Sequence, residues 1–414
     1  MQSLVSGHSA VPLQDCQQIS TQDRSCGRVA IRGFLTFAVL CITVLLNAGC
    51  DLSGRGANEQ AELQSPPKPA AKKTTHNVFT DVTETLGVSS IHAAGPPESF
   101  EFPRSMGSGC AWLDANGDRR LDILLVRGGA TIAAQNSGIQ AELYLQSENG
   151  RFINSSETAG LSGTGYGMGV AVGDIDNDGD LDVYLTKYGP DQLFLNDGTG
   201  HFTDATHETG IVNPQWSTAA AMVDVNQDGW LDLVVANYVD YFPGTFCADA
   251  AGREEFCGPQ DFHGTFNRLF LNRSSIVDER LRFEDVSAAS GIAAEPGKSL
   301  GLVCRDFDND GDVDLFFAND GEPNQFWIQH EGIFENQAHV RGLAVNRFGE
   351  VEADMGTVVG NFCGDDHADL LVTHLSGEMN TLWQGSDDGY FVDQTSQFQF
   401  GAAGLAMTGF GVVA

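Results

Sequence analysis

Three nonapeptides in this chain place oxygen-bearing side chains at positions 1, 3, 5 and 9. They are Asp174-Ile175-Asp176-Asn177-Asp178-Gly179-Asp180-Leu181-Asp182, Asp224-Val225-Asn226-Gln227-Asp228-Gly229-Trp230-Leu231-Asp232 and Asp306-Phe307-Asp308-Asn309-Asp310-Gly311-Asp312-Val313-Asp314. A further copy keeps Asp114, Asn116, Asp118 and Asp122 but has its Gly at 117 and Arg119 where the others have Gly. A degenerate one spans 361–369, with Cys363 at the third position. Carboxylates this close repel one another unless a cation neutralises them, and calcium takes six to eight oxygens. Alternate positions of a tight loop face one point, and Gly at the sixth position permits the sharp turn. The calcium ligands expected from this pattern are Asp114, Asn116, Asp118 and Asp122; Asp174, Asp176, Asp178 and Asp182; Asp224, Asn226, Asp228 and Asp232; and Asp306, Asp308, Asp310 and Asp314, with the carbonyl of position 7 as a further donor. Asp at position 9 stands in for the closing Glu of an EF-hand, but strand rather than helix follows, which argues against an EF-hand. The 361–369 copy is expected to be a plain turn.

The elements that must hold these loops repeat with them. Short apolar runs follow at 123–126, 183–185, 233–235, 315–317 and 370–372, all β-rich and bounded by turn residues. A strand such as Leu193-Phe194-Leu195-Asn196 or Leu269-Phe270-Leu271-Asn272 comes next, then a Phe-x-(Asp/Asn) step: Phe79, Phe152, Phe202, Phe283, Phe334 and Phe391 head its copies. Gly87, Gly160, Gly210, Gly291 and Gly342 follow five of these at one fixed step, each before an aliphatic residue. Four short strands per roughly 50 residues predict an all-β propeller, with a β-solenoid as the alternative. Near the end, Gly409-Phe410-Gly411 aligns with Gly167-Met168-Gly169, so the chain is expected to stop inside a repeat.

The 414 residues carry 56 acidic and 22 basic side chains, a formal charge of −34. That balance argues against nucleic acid and against an anionic membrane surface as partners, since both require Lys and Arg. Export is expected instead. Arg28 and Arg32 precede an apolar run at 33–48, and Leu46-Asn47-Ala48-Gly49-Cys50 is similar to a bacterial lipobox, making residues 1–50 a signal with lipidation at Cys50. A single uncleaved anchor is the other reading, and membrane contact is expected only through this lipid or anchor. Residues 51–76, rich in Ser, Pro, Ala, Gln and Lys, read as a flexible linker, and 77–414 as the propeller. Cys247 and Cys257 bracket a polar loop, and an exported protein can join them as a disulfide. Cys110, Cys304 and Cys363 read as small buried residues, and the scattered histidines as surface or structural. Trp327 and Trp383 fall in one strand of neighbouring repeats and read as core. Tyr238, Tyr241, Phe242 and Phe246 are expected to be exposed on the insertion, the best candidate binding loop.

The Asp-rich loops and Phe-x-Asp strands resemble the FG-GAP/VCBS repeats of integrin α-type propellers. More closely, the run from Tyr238 to Phe270, with Cys247, Cys257-Gly258-Pro259 and Asn267-Arg268-Leu269-Phe270, resembles the cartilage acidic protein and ASPIC/UnbV group. The resemblance implies a seven-bladed, calcium-binding propeller in a secreted or surface protein. This chain holds about five blades and part of a sixth. No P-loop, G-x-S-x-G or H-E-x-x-H motif is present, and no carboxylate pair stands apart from the loops. The expected function is a non-enzymatic binding or adhesion module for an extracellular protein or glycan. The alternative is a propeller enzyme acting on extracellular polysaccharide.

Overall fold

Among the described residues the repeat reads out as five four-stranded antiparallel sheets in a propeller-like succession. The computed structural model describes residues 79–92, 99–129, 138–275, 280–398 and 404–413. Cys50, the apolar run and the linker lie outside the described residues. The first sheet comprises Cys110–Leu113, Asp122–Val126, Ala141–Gln146 and Phe152–Asn154, and the second Tyr166–Gly173, Asp182–Tyr188, Gln192–Asn196 and Phe202–Asp204. The third contains Ser217–Val223, Asp232–Asn237, Arg268–Asn272 and Phe283–Asp285. Ser299–Arg305, Asp314–Asn319, Gln325–His330 and Ile333–Asn336 form the fourth; Thr357–Gly360, Asp369–Val372, Thr381–Gly385 and Phe391–Asp393 form the fifth. Each expected post-loop strand begins on the ninth loop residue, so every acidic loop joins the first and second strands of its sheet.

The first strand of each sheet packs against the first strand of the next. Close approach there uses glycine: a Cβ on Gly169 would meet the Thr218 carbonyl oxygen at 2.4 Å. The core is a series of apolar layers between consecutive sheets. Leu124, Leu143, Phe194 and Phe202 fill the first, and Phe316, Phe326, Trp383 and Phe391 the last. Each buried Phe of this kind contributes about 1.5–3 kcal/mol. The outward side of the first sheet bears the exposed Cys110 and Trp112, so the expectation that Cys110 is buried is corrected. Among the described residues no other sheet covers it.

The Phe-x-Asp motif has a second task that its β pattern conceals. After five of the six copies the chain makes one helical turn: Thr83–Leu86, Thr206–Thr209, Ser287–Ser290, Ala338–Arg341 and Thr395–Phe398. Asp81, Asp204, Asp285, Asn336 and Asp393 accept the backbone amide two residues on, starting the turn as an Asx cap does. The repeated Gly ends four of these turns at positive φ, 82° at Gly210 and 87° at Gly342. Gly342 also abuts the next repeat: a Cβ there would stand 2.4 Å from the Phe391 carbonyl oxygen.

The segment containing Gly409 lies beside the fifth sheet. Gly409 N–H donates to the His374 carbonyl at 3.1 Å, as Gly167 N–H donates to Arg127 at 3.1 Å, so the repeat alignment holds at the level of a hydrogen bond.

The Tyr238–Phe270 insertion departs from expectation in part. Phe242 and Phe246 are exposed, but Tyr238 and Tyr241 are buried. Both rings join Phe102, Trp216 and Phe262 in an aromatic cluster, and Tyr238 Oη donates to Asp320 at 2.6 Å. Aromatic packing there outweighs the polarity of the surrounding sequence. Cys247 and Cys257 are joined in a disulfide, their Cα atoms 5.2 Å apart. Among the described residues no helix is long and apolar enough to cross a membrane.

Candidate metal centres in the acidic loops

One backbone plan underlies all five loops. Positions 4 and 6 adopt positive φ: 59° at Asn177 and 97° at Gly179, 60° at Gln227 and 88° at Gly229, 59° at Asn309 and 97° at Gly311. The first loop exchanges residue types without changing shape, with Gly117 at 71° and Arg119 at 65°. The degenerate loop does likewise, with Gly364 at 77° and Asp366 at 66°. It is therefore more than a plain turn in conformation, though Cys363 removes the oxygen at position 3.

The carboxylates shape this turn. Asp174 Oδ1 accepts the Asp178 amide and Oδ2 the Gly179 amide, both at 3.0 Å, and Asp224 does the same for Asp228 and Gly229. Position 5 caps position 7: Asp178 accepts the Asp180 amide at 2.9 Å. Position 9 is fully buried in every loop and staples it to the sheet. Asp182 Oδ2 accepts the Ile175 amide and Oδ1 the Asn196 amide; Asp122, Asp232 and Asp314 repeat both contacts, while Asp369 accepts the amide of Cys363, one loop position later, together with that of Gly385.

Carboxylate oxygens of Asp174, Asp176 and Asp182 lie within 4.8 Å of one another, and so do those of Asp306, Asp308 and Asp314. Positions 1, 3 and 9 thus converge, while Asp178 and Asp310 stand outside these triplets; Asp310 groups with Asp312 and His330 instead. In the fourth loop Asp306 Oδ1 and Asp308 Oδ1 are buried with no hydrogen-bond partner, and Arg341 pairs with the other Asp308 oxygen at 2.9 Å. In the first loop the Arg120 guanidinium sits on Asp118. Asn116 and Asn226 hold position 3 of the first and third loops with a neutral oxygen.

The electrostatics follow from burial without a counter-charge. Burial, with Asp176 and Asp178 close by, pushes the Asp182 carboxyl up to about 7 against its amide hydrogen bonds. Asp314 rises to about 7, and Asp176 and Asp232 to about 6, with burial the main cause in each. The donor set, all oxygen and mostly anionic, suits a hard divalent cation such as calcium.

Sequence reasoning missed the contacts that chain the loops together. Asn177 Nδ2 donates to the Gly229 carbonyl at 3.1 Å, and Gln227 Nε2 to that of Gly311 at 2.6 Å. Asn196, Asn272 and Gln329, on the third strands, reach back to Ala115, Ile175 and Val225 of the preceding loop. The recurrent Asn of Leu-Phe-Leu-Asn was the available signal. A cluster around His374 was also invisible in sequence: Asp354 Oδ1 lies 2.8 Å from His374 Nδ1 and Thr381 Oγ1 3.0 Å from Nε2, all buried. Burial raises the Asp354 and Glu352 carboxyls there.

A profile of the FG-GAP-like repeat matches residues 114–185, 178–235 and 306–372. The chain carries three FG-GAP-like repeats. Those matched segments contain all five acidic loops. No curated protein matches the chain in sequence. Among solved structures, an Agrocybe aegerita lectin that recognises non-reducing terminal N-acetylglucosamine aligns at 14% identity and TM-score 0.33, covering 72% of this chain and 82% of the lectin. The V. cholerae biofilm matrix protein Bap1 aligns at 15% identity and TM-score 0.35, covering 69% of this chain and 38% of Bap1.

Proposed function

We propose that this FG-GAP repeat protein is a calcium-stabilised, non-enzymatic binding module that works outside the cytoplasm. The observation that carries the calcium reading is the pair of unpartnered buried oxygens, Asp306 Oδ1 and Asp308 Oδ1, in residues whose carboxylates converge with Asp314. A buried carboxylate oxygen without a donor is costly, and a shared divalent cation removes that cost. Positions 1, 3 and 9 would hold the ion, and position 9 already ties each loop to its second and third strands. An ion in one loop therefore stiffens its own sheet and, through Asn177 and Gln227, the loop that follows.

Export rests on the Cys50 signal sequence and fits the Cys247–Cys257 disulfide, which persists in oxidising compartments. The exposed Phe242 and Phe246 of the disulfide-held insertion offer contact area to an extracellular protein or glycan. Membership of the cartilage acidic protein and ASPIC/UnbV group is part of the same reading.

Trp230 occupies position 7 of the third loop, so terbium bound there is within reach of an indole sensitiser. Excitation of tryptophan should give terbium emission that calcium displaces and that Trp230→Phe weakens. Absence of sensitised emission would count against cation binding in that loop. Turnover of a polysaccharide by the purified protein would replace the binding reading with an enzymatic one.

A further inference from the structure

The fifth residue after the closing Asp of each acidic loop lies at the far end of the second strand, about 16 Å of extended chain from that Asp. Arg127, Lys187, Asn237 and Asn319 hold this place in the first four sheets, and His374 holds it in the fifth. Three of those side chains end on backbone carbonyls: Lys187 Nζ donates to Thr164 at 2.9 Å, Asn237 Nδ2 to Phe266 at 2.8 Å and Asn319 Nδ2 to Pro323 at 2.8 Å. His374 meets carboxylates instead. The connection entering the fifth sheet delivers them. The Glu352 carbonyl accepts the Gly321 amide at 3.0 Å, Ala353 pairs with Asp320 in an antiparallel bridge, and Met355 N–H donates to the Thr373 carbonyl at 3.0 Å. That segment is thus stretched between the ends of two second strands, and Glu352 and Asp354, two residues apart, point to one side of it.

One carboxylate oxygen from each acid and one ring nitrogen of His374 lie within 4.8 Å of one another. Asp354 and His374 are 3% and 0% exposed. Asp354 Oδ1 and His374 Nδ1 stand 2.8 Å apart, yet both are buried without a hydrogen bond, so the pair is close but not aligned. Thr381 explains why. Its hydroxyl donates to Glu352 at 3.1 Å and lies 3.0 Å from His374 Nε2, so Nε2 carries a hydrogen and the neutral ring turns the lone pair of Nδ1 toward Asp354. Two lone pairs that face each other in a buried site call for a cation between them. Lys298, on the strand nearby, is paired with Glu322 at 2.9 Å.

We propose that Glu352, Asp354 and His374 form a second kind of metal centre, one that takes zinc or a similar borderline divalent ion rather than calcium. An imidazole nitrogen with two carboxylates suits zinc, whereas calcium is held by oxygen alone. Two zinc ligands 2.0–2.1 Å from one ion stand about 2.9–3.4 Å apart at right-angled to tetrahedral geometry, so Asp354 and His374 need to open by only a few tenths of an ångström. Thr381 and Glu352 fix the tautomer that leaves Nδ1 free to ligate, the task of outer partners in metal sites. Glu352 and the adjacent Glu378 are half-buried, so the ion enters from their side and a water completes the fourth position.

The test uses the full chain with calcium in excess. Zinc is titrated by calorimetry, and cobalt(II) is followed by its visible absorption. The expected result is a saturable zinc site whose affinity falls at least tenfold in His374→Gln, Asp354→Asn and Glu352→Gln. His330→Gln, which removes the imidazole of the exposed Asp310–Asp312–His330 group, should leave it unchanged. Cobalt(II) should show no thiolate charge-transfer band, since the centre contains no cysteine. Glu352 is half-buried, so Glu352→Gln decides the matter if the two buried variants fail to fold. No zinc binding, undiminished binding by Glu352→Gln, loss of binding in His330→Gln or a thiolate band would overturn the proposal, and a proton would then be the cation between Asp354 and His374. A chain that binds zinc here but no calcium would support this centre and count against the metal reading of the acidic loops alone.

Discussion

Asp182 and Asn196 hold one acidic loop to its sheet: the Asp182 carboxylate accepts the Asn196 amide at 2.9 Å and, through its other oxygen, the Ile175 amide at 3.0 Å. The residue that closes the metal triplet is thus also a structural staple. Hydrogen bonds to a charged acceptor are worth about 1.5–3 kcal/mol each. Asp182→Ala should therefore cost about 3–5 kcal/mol in denaturant unfolding even with calcium absent. Asp178→Ala, which removes an exposed cap on position 7, should cost about 1 kcal/mol. Similar losses from the two variants would show that position 9 has no special structural weight.

The same burial sets a pH dependence. Asp182 and Asp314 are pushed up to about 7, well above an unfolded Asp. A raised carboxyl pKa means the folded state holds its proton more tightly. The associated stability is full below about pH 4 and is lost as pH rises toward 7. Melting temperature in chelator should fall between about pH 4 and 7. Saturating calcium binds the deprotonated loops and should flatten or reverse that slope. A chelated protein whose melting temperature rises over this range would contradict the electrostatic account of the loops.

Gly342 and Gly311 both have positive φ, at 87° and 97°, but in different surroundings. A methyl group on Gly342 would press on the Phe391 carbonyl, whereas one on Gly311 meets nothing within 4 Å. Gly311→Ala should cost about 1–2 kcal/mol, the left-handed strain alone. Gly342→Ala should cost at least about 2 kcal/mol more, since overpacking adds to that strain. Denaturant midpoints of the two variants decide this, and equal costs would remove the proposed contact between repeats.

The sheets were legible because their signals are local. Each apolar run after an acidic loop became a second strand, and Leu-Phe-Leu-Asn became a third. Five of the six Phe-x-(Asp/Asn) steps are strand as read, while Phe79–Asp81, with an exposed Phe79, is not; the Asp or Asn also caps a helical turn too short for any 3.6-residue period to register. The insertion was half legible: Phe242 and Phe246 are exposed, while Tyr238 and Tyr241 turn inward because Phe102, more than a hundred positions earlier, supplies the aromatic partner. Nothing local in the sequence announces that contact.

Calorimetric titration of calcium into the metal-free full chain, with melting curves in parallel, tests the central claim most directly. Saturable binding should accompany a rise in melting temperature, with stabilisation of about 2.7 kcal/mol at a hundredfold excess over Kd for each site. Asp306→Asn combined with Asp308→Asn should remove one of those sites and leave the others. Titration with neither heat nor a change in melting temperature would mean that the acidic loops are turns held by their own amides, with no calcium among them.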